Sequence, residues 1–437
     1  MASVRIISHG CKANQYDGDA LARALARLGY GIATGRDVAR QSRYGGPKGL
    51  AADVYVVNTC AVTVAAQAKG RKLIRRLARL HPGAVVATGC AAEVAPKSLR
   101  AIPGVAAVIG NSGKPELAAA VRGLLPTPEP SGARQTINAS GHTRAIIKVQ
   151  DGCNMACSYC VVRLARGPMR SRPAAEVLDE IRALADNGVK EIVLTGIRLG
   201  AYNDGGRDLA DLVAATDSIV PRIRLSSLDV WDLTPPLLAA IADNPAVCPH
   251  LHLPLQSGDD AVLRAMKRPY TVREYVRRVE MARESIPDVA LTTDVMVGFP
   301  GESEQAFENT LRLVQDLQFA DLHVFRYSPR PGTAAAQMGG AVAEEVKTER
   351  SERMLALARE LALQFAQGFM GQSVEVLFET YDSGAGACEG ISRHYLRVVA
   401  PGSPEMCNRL ATVRVAEATS GMARGSIDDM PAQSAAT

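Results

Sequence analysis

Three cysteines lie close together in the sequence, and their spacing restricts the kind of metal centre around which the chain can fold. They are Cys153, Cys157 and Cys160, here called the loop triple, in Gln150-Asp-Gly-Cys-Asn-Met-Ala-Cys-Ser-Tyr-Cys160. Thiolates at this spacing on one loop can hold three irons of a [4Fe–4S] cluster and leave the fourth iron open. An open iron indicates chemistry rather than electron storage. A structural zinc site is the alternative, although a closed zinc site needs four ligands and no fourth Cys or His is suitably spaced.

Three further cysteines each follow a predicted β-strand near the N-terminus. The strands are Val4–Ile7 before Cys11, Asp53–Val57 before Cys60, and Ala84–Ala87 before Cys90, with helices at Asp17–Leu28 and Val62–Leu80 and a last strand at Val105–Gly110. This alternation predicts a parallel sheet with right-handed crossovers. Because the carboxyl ends of its strands share one edge, we expect these cysteines, the strand-end triple, to converge there. Simple burial of small thiols is the plainer alternative.

A second alternating series predicts a partial (β/α)6 barrel followed by a small all-β barrel. The barrel strands are Ala145–Val149, Glu191–Leu194, Arg222–Ser226, His250–Leu255, Leu291–Val297 and Leu322–Phe325, with helices such as Ala174–Asn187, Leu209–Ile219, Thr271–Arg283 and Ser303–Phe319. The loop triple follows the first strand, on the face where such barrels carry their sites. After a charged helix from Glu344, the strands Val374–Glu379, His394–Val399 and Ala411–Ala416 predict a β-barrel of a kind that often binds nucleic acid. The predicted fold class is therefore α/β, with an open parallel N-terminal domain, a central partial barrel and a C-terminal β-barrel.

These patterns also divide the chain into domains. We predict an N-terminal domain at 1–124, a linker at 125–141, a central domain at 142–368, a β-barrel domain at 369–427 and a disordered tail at 428–437. No apolar run approaches the ~20 residues that span a bilayer, and the first residues lack the features of a signal peptide. We therefore expect a cytoplasmic protein without a membrane partner. In such a reducing compartment, the nine cysteines indicate ligands, nucleophiles or buried thiols rather than disulfides.

The loop triple resembles that of the radical S-adenosylmethionine (SAM) superfamily, and almost the whole chain resembles the methylthiotransferases within it. Matching segments include Gly10-Cys-Lys-Ala-Asn-Gln-Tyr16, Asn58-Thr-Cys-Ala-Val-Thr63, Thr88-Gly-Cys90, Leu194-Thr-Gly-Ile-Arg-Leu-Gly200, His250-Leu-His-Leu-Pro-Leu-Gln-Ser-Gly258 and Phe325-Arg-Tyr-Ser-Pro-Arg-Pro-Gly-Thr333. The C-terminal barrel resembles the RNA-binding TRAM domain of these enzymes. Asn14-Gln-Tyr16, Ala61-Val-Thr63 and Tyr327-Ser-Pro-Arg330 are most similar to the branch that acts on N6-threonylcarbamoyladenosine in tRNA.

The resemblance implies a transferase that uses SAM and two [4Fe–4S] clusters. The loop triple would hold the cluster at which SAM is cleaved to a radical, and the strand-end triple an auxiliary cluster that carries the sulfur. The substrate would be C2 of N6-threonylcarbamoyladenosine at position 37, in the anticodon stem-loop of tRNA. No side chain is predicted as a catalytic acid or base. An electron donor such as flavodoxin or ferredoxin and a monomeric state are also expected.

Other functions remain open from the sequence. The same chemistry could act on isopentenyl-adenosine in tRNA or on an aspartate of a ribosomal protein. From another class, the chain could be a non-enzymatic iron–sulfur protein that binds RNA. Closed clusters with four cysteines would favour that function, and two triples speak against it.

Four residues are candidate SAM contacts: Tyr159 in the cysteine loop, Gly196 and Ser226 after the second and third barrel strands, and Gln256. Strand alternation in His250–Gln256 puts the histidines and Gln256 on one face, with Gln256 nearest the carboxyl end. A glycine at position 196 would let the backbone approach SAM closely. A satisfied polar core residue explains Gln256 equally well, and turn geometry explains Gly196.

Four basic residues are candidate RNA contacts. Lys69, Lys72 and Arg76 share one face of the helix after Cys60, and Arg166 lies just after the loop triple. Such a group could bind tRNA phosphates, although a merely solvated face explains the charge equally well. Aromatic residues make up only 4% of the chain, so base stacking is not predicted as the main mode of binding.

Overall fold

The computed structural model describes residues 2–34, 52–126 and 143–429, and most of the predicted linker and tail lies outside these ranges. The described chain forms two compact units. The first takes its residues from Met1–His142, Gln150–Arg170 and Ser328–Ala336, and the second from Thr143–Val149, Ser171–Tyr327 and Gln337–Thr437. In the described ranges, no helix is long and apolar enough to cross a membrane. The predicted domain boundaries stay a prediction.

The N-terminal part of the first unit is a five-stranded parallel sheet covered by helices. Its strands are β1 (Ser3–Ser8), β2 (Gly31–Thr34), β3 (Val54–Thr59), β4 (Val85–Gly89) and β5 (Val105–Ile109), and its helices are α1 (Lys12–Arg27), α2 (Val64–Leu80), α3 (Cys90–Val94), α4 (Pro96–Arg100) and α5 (Lys114–Arg122). The strand order is β2-β1-β3-β4-β5. This confirms the predicted open parallel sheet and adds β2, which is too short to show a pattern of its own.

Both faces of the sheet are buried at its centre, where every residue of β3 and β4 is buried. Successive side chains point to opposite faces, so Val56 packs with Leu25 of α1, while Val57 packs with Ile74 of α2. Each such side chain contributes about 1.5–3 kcal/mol by leaving water. The resulting three layers hold the strand ends, and the cysteines that follow them, in fixed positions.

Residues 144–326 contain the central barrel. Its six strands are β6 (Arg144–Lys148), β9 (Glu191–Thr195), β12 (Arg222–Leu225), β13 (His250–His252), β14 (Ala290–Val297) and β15 (Asp321–Arg326). This region also contains two separate two-stranded sheets, β7 (Gln150–Asp151) with β8 (Arg170–Ser171), and β10 (Asn203–Asp204) with β11 (Arg207–Asp208). Its helices are α6 (Val162–Arg166), α7 (Ala174–Asp186), α8 (Leu209–Ala214), α9 (Pro235–Asp243), α10 (Asp260–Ala265), α11 (Val272–Ser285) and α12 (Glu304–Leu317). Parallel strands run in the orders β6-β9-β12 and β13-β14-β15. Hydrogen bonds from Ile223 to Ala246 and from Cys248 to Ile223, both 2.7 Å, join the two sets, which confirms the partial barrel.

The fourth barrel strand is shorter than predicted. The sequence predicted a strand over His250–Leu255, but β13 ends at His252. Pro254 has no N–H to give to the ladder, and Gln256 has a positive φ of 68°. The chain still follows β14, because Gln256 N–H donates to the Asp294 carbonyl at 2.8 Å. Gln256 therefore stays at the carboxyl end of this sheet.

The C-terminal residues form a long helix and a closed β-barrel. They are α13 (Glu344–Gln367), β16 (Ser373–Asp382), β17 (Ala387–Ser392), β18 (Arg397–Pro401), β19 (Leu410–Thr419) and β20 (Met422–Asp429). The strands close in the order β16-β17-β18-β20-β19 around a core that includes Phe378 and Val398. The predicted small all-β barrel is confirmed. β17 and β20 were not predicted, because small residues and glycine weaken their alternation.

The C-terminal β-barrel packs against the amino ends of the central strands. Glu191 and Arg222 are the first residues of β9 and β12, and Arg222 Nη2 lies 2.9 Å from Glu191 Oε2. Arg222 Nη2 donates to the Ile391 carbonyl at 3.1 Å, and Arg224 Nη2 donates to the Ser392 carbonyl at 3.0 Å. This β-barrel therefore lies at the edge opposite the carboxyl ends of the central strands.

Candidate iron–sulfur site

The strand-end triple lies at the carboxyl edge of the N-terminal sheet. Cys11 precedes α1 at its N-cap, Cys60 directly follows β3, and Cys90 directly follows β4. The strands β1, β3 and β4 are neighbours in the sheet. Cys60 and Cys90 are buried, and Cys11 is exposed. The three cysteines thus follow three adjacent strands, as the sequence led us to expect.

Gly10 allows the loop before Cys11 to lie against Cys60. Its φ of +100° is in the left-handed region that favours glycine. A Cβ at this position would lie 2.6 Å from Cβ of Cys60 and 2.8 Å from its Sγ. A side chain at position 10 would therefore fill the space beside the Cys60 sulfur.

Two buried asparagines hold the surroundings of Cys90. Asn111 Nδ2 donates to Cys90 Sγ at 3.4 Å and to the Ala165 carbonyl at 2.6 Å. The Cys90 thiol lies 3.7 Å from Asn14 Oδ1, and Asn14 Nδ2 donates to the Thr59 carbonyl at 2.9 Å. These bonds connect Cys90 to α1 on one side and to α6 on the other.

The loop triple is ordered by backbone hydrogen bonds. Cys153 N–H donates to the Gly167 carbonyl at 3.1 Å, and Cys160 N–H donates to the Cys157 carbonyl at 3.2 Å. Met155 N–H donates to Cys153 Sγ at 3.4 Å. All three sulfurs belong to half-buried residues. All six cysteines of the two triples belong to the first unit.

Burial changes the acidity of one cysteine in each triple. It raises the pKa of Cys60 to about 11, and Cys11 and Cys90 add to this shift. It likewise raises the pKa of Cys160 to about 11, with further contributions from Cys157 and Cys153. Both thiols therefore keep their protons at neutral pH until a cation replaces them, so metal binding would release protons.

Arg166 connects the two triples. It is 3% exposed, and its Nη1 donates to both carboxylate oxygens of Asp151, at 2.9 and 3.1 Å. Its Nη2 donates to Asn14 Oδ1 and, at 3.1 Å, to Asp17 Oδ2. Burial lowers the pKa of Arg166, but the charges of Cys90 and the carboxylates outweigh it and raise the pKa above its ordinary value. The side chain is buried and its charge is already paired, which disfavours an RNA contact at Arg166; that contact stays a prediction.

Neither triple is among the compact groups of metal-ligating side chains in the described chain. Because Zn–S bonds are about 2.3 Å, tetrahedral zinc places its thiolate sulfurs about 3.8 Å apart. Among the described His, Cys, Asp and Glu residues, only His252, Asp294 and His323 form a group whose ligand atoms all lie within 4.8 Å of one another. Three thiolates leave one position of a closed tetrahedral zinc site unfilled, whereas they can hold three irons of a [4Fe–4S] cluster.

Orphaned buried polar atoms surround the strand-end triple. Within the described chain, the atoms without a hydrogen-bond partner include His9 Nε2, Asn58 Oδ1, Asn111 Oδ1, Arg166 Nε and Arg330 Nε. Leaving a buried polar group unpaired costs about 1–3 kcal/mol. Together with the cradle formed by Gly10, these atoms fit a polar cofactor bound at the strand-end triple.

The candidate SAM contacts are divided between the two units. Gly196, Ser226 and Gln256 follow the carboxyl ends of β9, β12 and β13 in the second unit, and Tyr159 belongs to the first. Ser226 is 5% exposed and its Oγ has no partner among the described residues. The structure thus gathers three of the four candidates at one edge of the barrel.

The candidate RNA contacts on α2 are exposed and point away from the sheet. Lys69, Lys72 and Arg76 are exposed, whereas Ile74 and Leu77 are buried. Helix α2 carries six Lys or Arg residues and no Asp or Glu. Burial and the charge of Lys69 lower the pKa of His9, two residues before Cys11. The basic face therefore reaches the neighbourhood of the strand-end triple.

The sequence analysis missed a polar group on the barrel strands. His252 Nε2 lies 3.1 Å and His323 Nδ1 3.2 Å from Asp294 Oδ1. Burial opposes ionisation, but the hydrogen bonds from both histidines outweigh it and lower the pKa of Asp294 well below its usual range. Strand alternation placed His252 on a polar face, but the pairing of β14 with β15 that adds His323 could not be read from the sequence.

Comparisons with known proteins agree with this arrangement. Two family models match the chain: the Radical SAM superfamily over residues 147–314, and the Uncharacterized protein family UPF0004 over residues 3–110. A threonylcarbamoyladenosine tRNA methylthiotransferase MtaB of Bacillus subtilis is 34% identical, with 96% of this chain and 94% of the relative covered. The protein of the same name from Thermotoga maritima is 36% identical, with 91% of each chain covered.

Another relative carries a different name, and one solved structure shares the fold. A tRNA-2-methylthio-N(6)-dimethylallyladenosine synthase of Caldicellulosiruptor saccharolyticus is 34% identical, with 95% of this chain and 90% of the relative covered. The radical S-adenosylmethionine methyltransferase TsrM of Kitasatospora setae matches with a TM-score of 0.58 over 77% of each chain, at 17% identity. That likeness concerns the fold alone.

Proposed function

Because this chain belongs to the radical SAM methylthiotransferase family, we propose that it adds a methylthio group to C2 of N6-threonylcarbamoyladenosine at position 37 of tRNA. The enzyme is a transferase that uses SAM and two [4Fe–4S] clusters. The observation that carries the proposal is the presence of two cysteine triples in one compact unit. Each is one thiolate short of closing a cluster. A non-enzymatic iron–sulfur protein has no need for two open irons.

We assign one cluster to each triple. The loop triple would hold the cluster whose open iron binds SAM, and the strand-end triple would hold the auxiliary cluster. When bound, these groups supply the radical and the sulfur. The chain itself supplies N–H donors to the sulfurs: Met155 to Cys153 and Val62 to Cys60, both at 3.4 Å. Such hydrogen bonds favour the thiolate over the thiol. No side-chain acid or base is needed to activate the substrate carbon.

Contacts to SAM are proposed at Tyr159, Gly196, Ser226 and Gln256. The last three follow the carboxyl ends of neighbouring parallel strands, where barrels of this type bind their ligands. The unpartnered Oγ of Ser226 supports a polar ligand at this edge. Gln256 is 8% exposed and sits in a left-handed turn, which directs this part of the chain out of the strand.

Two surfaces are candidates for RNA binding, helix α2 and the C-terminal β-barrel, and the charges favour helix α2. Its six basic residues, unopposed by any acidic one, make it a strong attractor of phosphates. The predicted TRAM-like barrel, residues 369–427, has five Arg, no Lys and six Asp or Glu residues. Its net charge gives it no general attraction for RNA, so any contact it makes must be specific. We propose that Lys69, Lys72 and Arg76 contribute most of the electrostatic affinity for tRNA.

The cellular setting follows from the same chemistry. We propose that a flavodoxin or ferredoxin supplies the electron for SAM cleavage, that the enzyme works as a monomer, and that it acts in the cytoplasm, where tRNA is modified. These expectations rest on the family resemblance and on the substrate.

Nucleoside analysis tests the proposal. The reconstituted enzyme would be incubated with SAM, dithionite and tRNA that carries N6-threonylcarbamoyladenosine, and the digested nucleosides analysed by mass spectrometry. We expect a product that is heavier by one methylthio group in place of one hydrogen, together with 5′-deoxyadenosine. Matched variants are Cys157→Ala, which removes a loop thiolate, and Cys248→Ala, which removes a buried thiol outside both triples.

The outcomes separate the alternatives. Loss of 5′-deoxyadenosine in Cys157→Ala but not in Cys248→Ala supports the assignment of the loop triple. A product only with tRNA that carries isopentenyl-adenosine would transfer the proposal to that substrate, as the 34% identical dimethylallyladenosine synthase would suggest. No 5′-deoxyadenosine from the unsubstituted enzyme would refute the radical reaction.

A further inference from the structure

Arg330 is a buried cation without an acidic partner. Arg330 is 4% exposed, and its Nη2 donates to the neutral Gln67 Oε1 at 2.6 Å. Its Nε is buried and has no hydrogen-bond partner. Across the described ranges, no carboxylate pairs with it. Buried guanidinium groups are normally paired because an unpaired buried charge is costly. The surroundings of Arg330 therefore suit an anion.

The segment that carries Arg330 contacts the surroundings of both triples. Ala335 N–H donates at 2.8 Å to the carbonyl of Ser158, which lies between Cys157 and Cys160. Gln67, the partner of Arg330, lies on α2 just after Cys60. Burial lowers the pKa of Arg330, and the charge of Cys60 opposes that shift. Through Gln67, the guanidinium is held at the N-terminal end of α2, the end that follows Cys60.

The charges around the strand-end triple leave Arg330 as the available counter-charge. The other buried arginine at this site, Arg166, is neutralised by Asp151 and Asp17. A sulfur anion added to three thiolates increases the negative charge in a poorly solvated place, where a cation stabilises it most. The low exposure of Arg330 disfavours an RNA phosphate, which the exposed face of α2 is better placed to bind.

We propose that Arg330 binds a small sulfur anion, a hydrosulfide or an alkanethiolate, held beside Cys60 at the strand-end triple. This rests on the proposed function, in which this triple carries the sulfur to be transferred. The unpartnered Nε can donate to the anion while Nη2 stays on Gln67. Arg330 then fixes the sulfur at one position and balances its charge.

Titration with methanethiolate tests this subsite. The full-length chain would carry Cys153→Ala, Cys157→Ala and Cys160→Ala, so that only the strand-end triple binds a cluster. Sodium methanethiolate is added, and binding is followed through the electron paramagnetic resonance spectrum of the reduced cluster. Arg330→Gln should weaken binding by about tenfold or more, the loss expected for a hydrogen bond to a charged group. It should also make the midpoint potential of the cluster more negative.

Two further variants complete the test. Arg330→Lys keeps the charge and should stay within about threefold of the unsubstituted affinity, and Arg79→Gln, an exposed change on α2, should have no effect. Unchanged methanethiolate affinity in Arg330→Gln, at equal iron content, would overturn the subsite, even if that variant bound tRNA less well. Loss of iron in both Arg330 variants would overturn it as well, because Arg330 would then be structural. Failure of the unsubstituted holoenzyme to modify tRNA would refute the proposed function and leave this titration unaffected.

Discussion

At the scale of single residues, Gly10 controls the space beside the Cys60 sulfur. We predict that Gly10→Ala prevents the auxiliary cluster from forming, because the new methyl group would lie 2.6 Å from Cβ of Cys60. Iron content should fall from about eight to about four per chain, the content of one [4Fe–4S] cluster. Iron analysis and the absorbance of the reconstituted protein would measure this loss.

Gly83→Ala is the matched control for that substitution. Gly83 also has a positive φ, +77°, but nothing lies within 4 Å of a Cβ built there. It therefore reproduces the backbone strain of about 1 kcal/mol without the steric clash. Equal iron loss in both variants would show that backbone strain, and not the space beside Cys60, is responsible.

Arg166 is the second residue with a sharp expectation. Arg166→Gln removes the cation that Asp151 and Asp17 share, although Lys114 still pairs with Asp17, so we predict a loss of about 3 kcal/mol in the free energy of unfolding. Arg170→Gln is the control, because Arg170 is 58% exposed and lies 3.7 Å from the same Asp151. Urea unfolding of the cluster-free protein would measure both. A loss in Arg170→Gln as large as in Arg166→Gln would contradict the role of the buried network.

The sequence predicted these residues unevenly, for a physical reason. The cysteines of the strand-end triple could be found because each follows an apolar run, and parallel strands end at a common edge. The burial of Arg166 was not predictable, because it depends on Asn14 and Asp17, 152 and 149 residues away in the chain. Arg330 was noted only as part of the segment Tyr327-Ser-Pro-Arg330, since a buried charge without an acidic partner is visible only once its neighbours are in place.

At the scale of elements, helix α2 places its exposed basic residues near the edge of the sheet where Cys60 follows β3. We predict that Lys72→Glu combined with Arg76→Glu lowers tRNA affinity by about tenfold or more and reduces the slope of log affinity against log salt by about two, one for each lost phosphate contact. Filter binding at several salt concentrations would measure both quantities. Iron content should stay the same, because neither residue faces the sheet.

The control for this prediction is an equal change of charge on another exposed helix. Arg273 and Arg277 lie on α11 and are exposed, so Arg273→Glu combined with Arg277→Glu alters the net charge equally. If this variant lost as much affinity, net charge alone would explain the effect and α2 would have no special role.

Elements were predictable where a long pattern supported them. Helix α2 and the buried strands β3 and β4 were found because their apolar spacing extends over whole elements. Four-residue β2, and β17 with its interior Gly390, were missed because short or glycine-containing strands show little alternation. The long buried elements were therefore predictable from the sequence, and the short or glycine-containing strands were not.

At the scale of the whole molecule, a buried ionic network joins the C-terminal β-barrel to the central barrel. Arg224 Nε donates to Glu191 Oε1 at 2.9 Å, and Arg224 also lies over the ring of Tyr395, 5.1 Å from its centroid. Tyr395 in turn stacks on His250, with centroids 4.5 Å apart. Deleting the β-barrel would uncover these charges. Truncation would therefore disturb folding as well as any RNA contact, and point variants are the better probe.

Glu191→Gln probes this network through its pH dependence. Burial raises the pKa of Glu191, but Arg224 and Arg222 outweigh it and lower the pKa to about 2 from an ordinary value of 4.5. A carboxyl whose pKa is lower in the folded state adds stability above its unfolded pKa and loses it as pH falls toward the folded value. We predict that Glu191→Gln costs about 3–5 kcal/mol in the free energy of unfolding at pH 7, and that this difference shrinks between about pH 5 and pH 2.

Glu389→Gln is the control, because it breaks an exposed ion pair: the side chain of Glu389 is 41% exposed and that of its partner Arg397 is 53% exposed. It should cost about 1 kcal/mol or less at any pH. Urea unfolding of the cluster-free proteins from pH 7 to pH 3 would compare them. A difference for Glu191→Gln that did not change with pH would show that shape, and not charge, joins the two barrels.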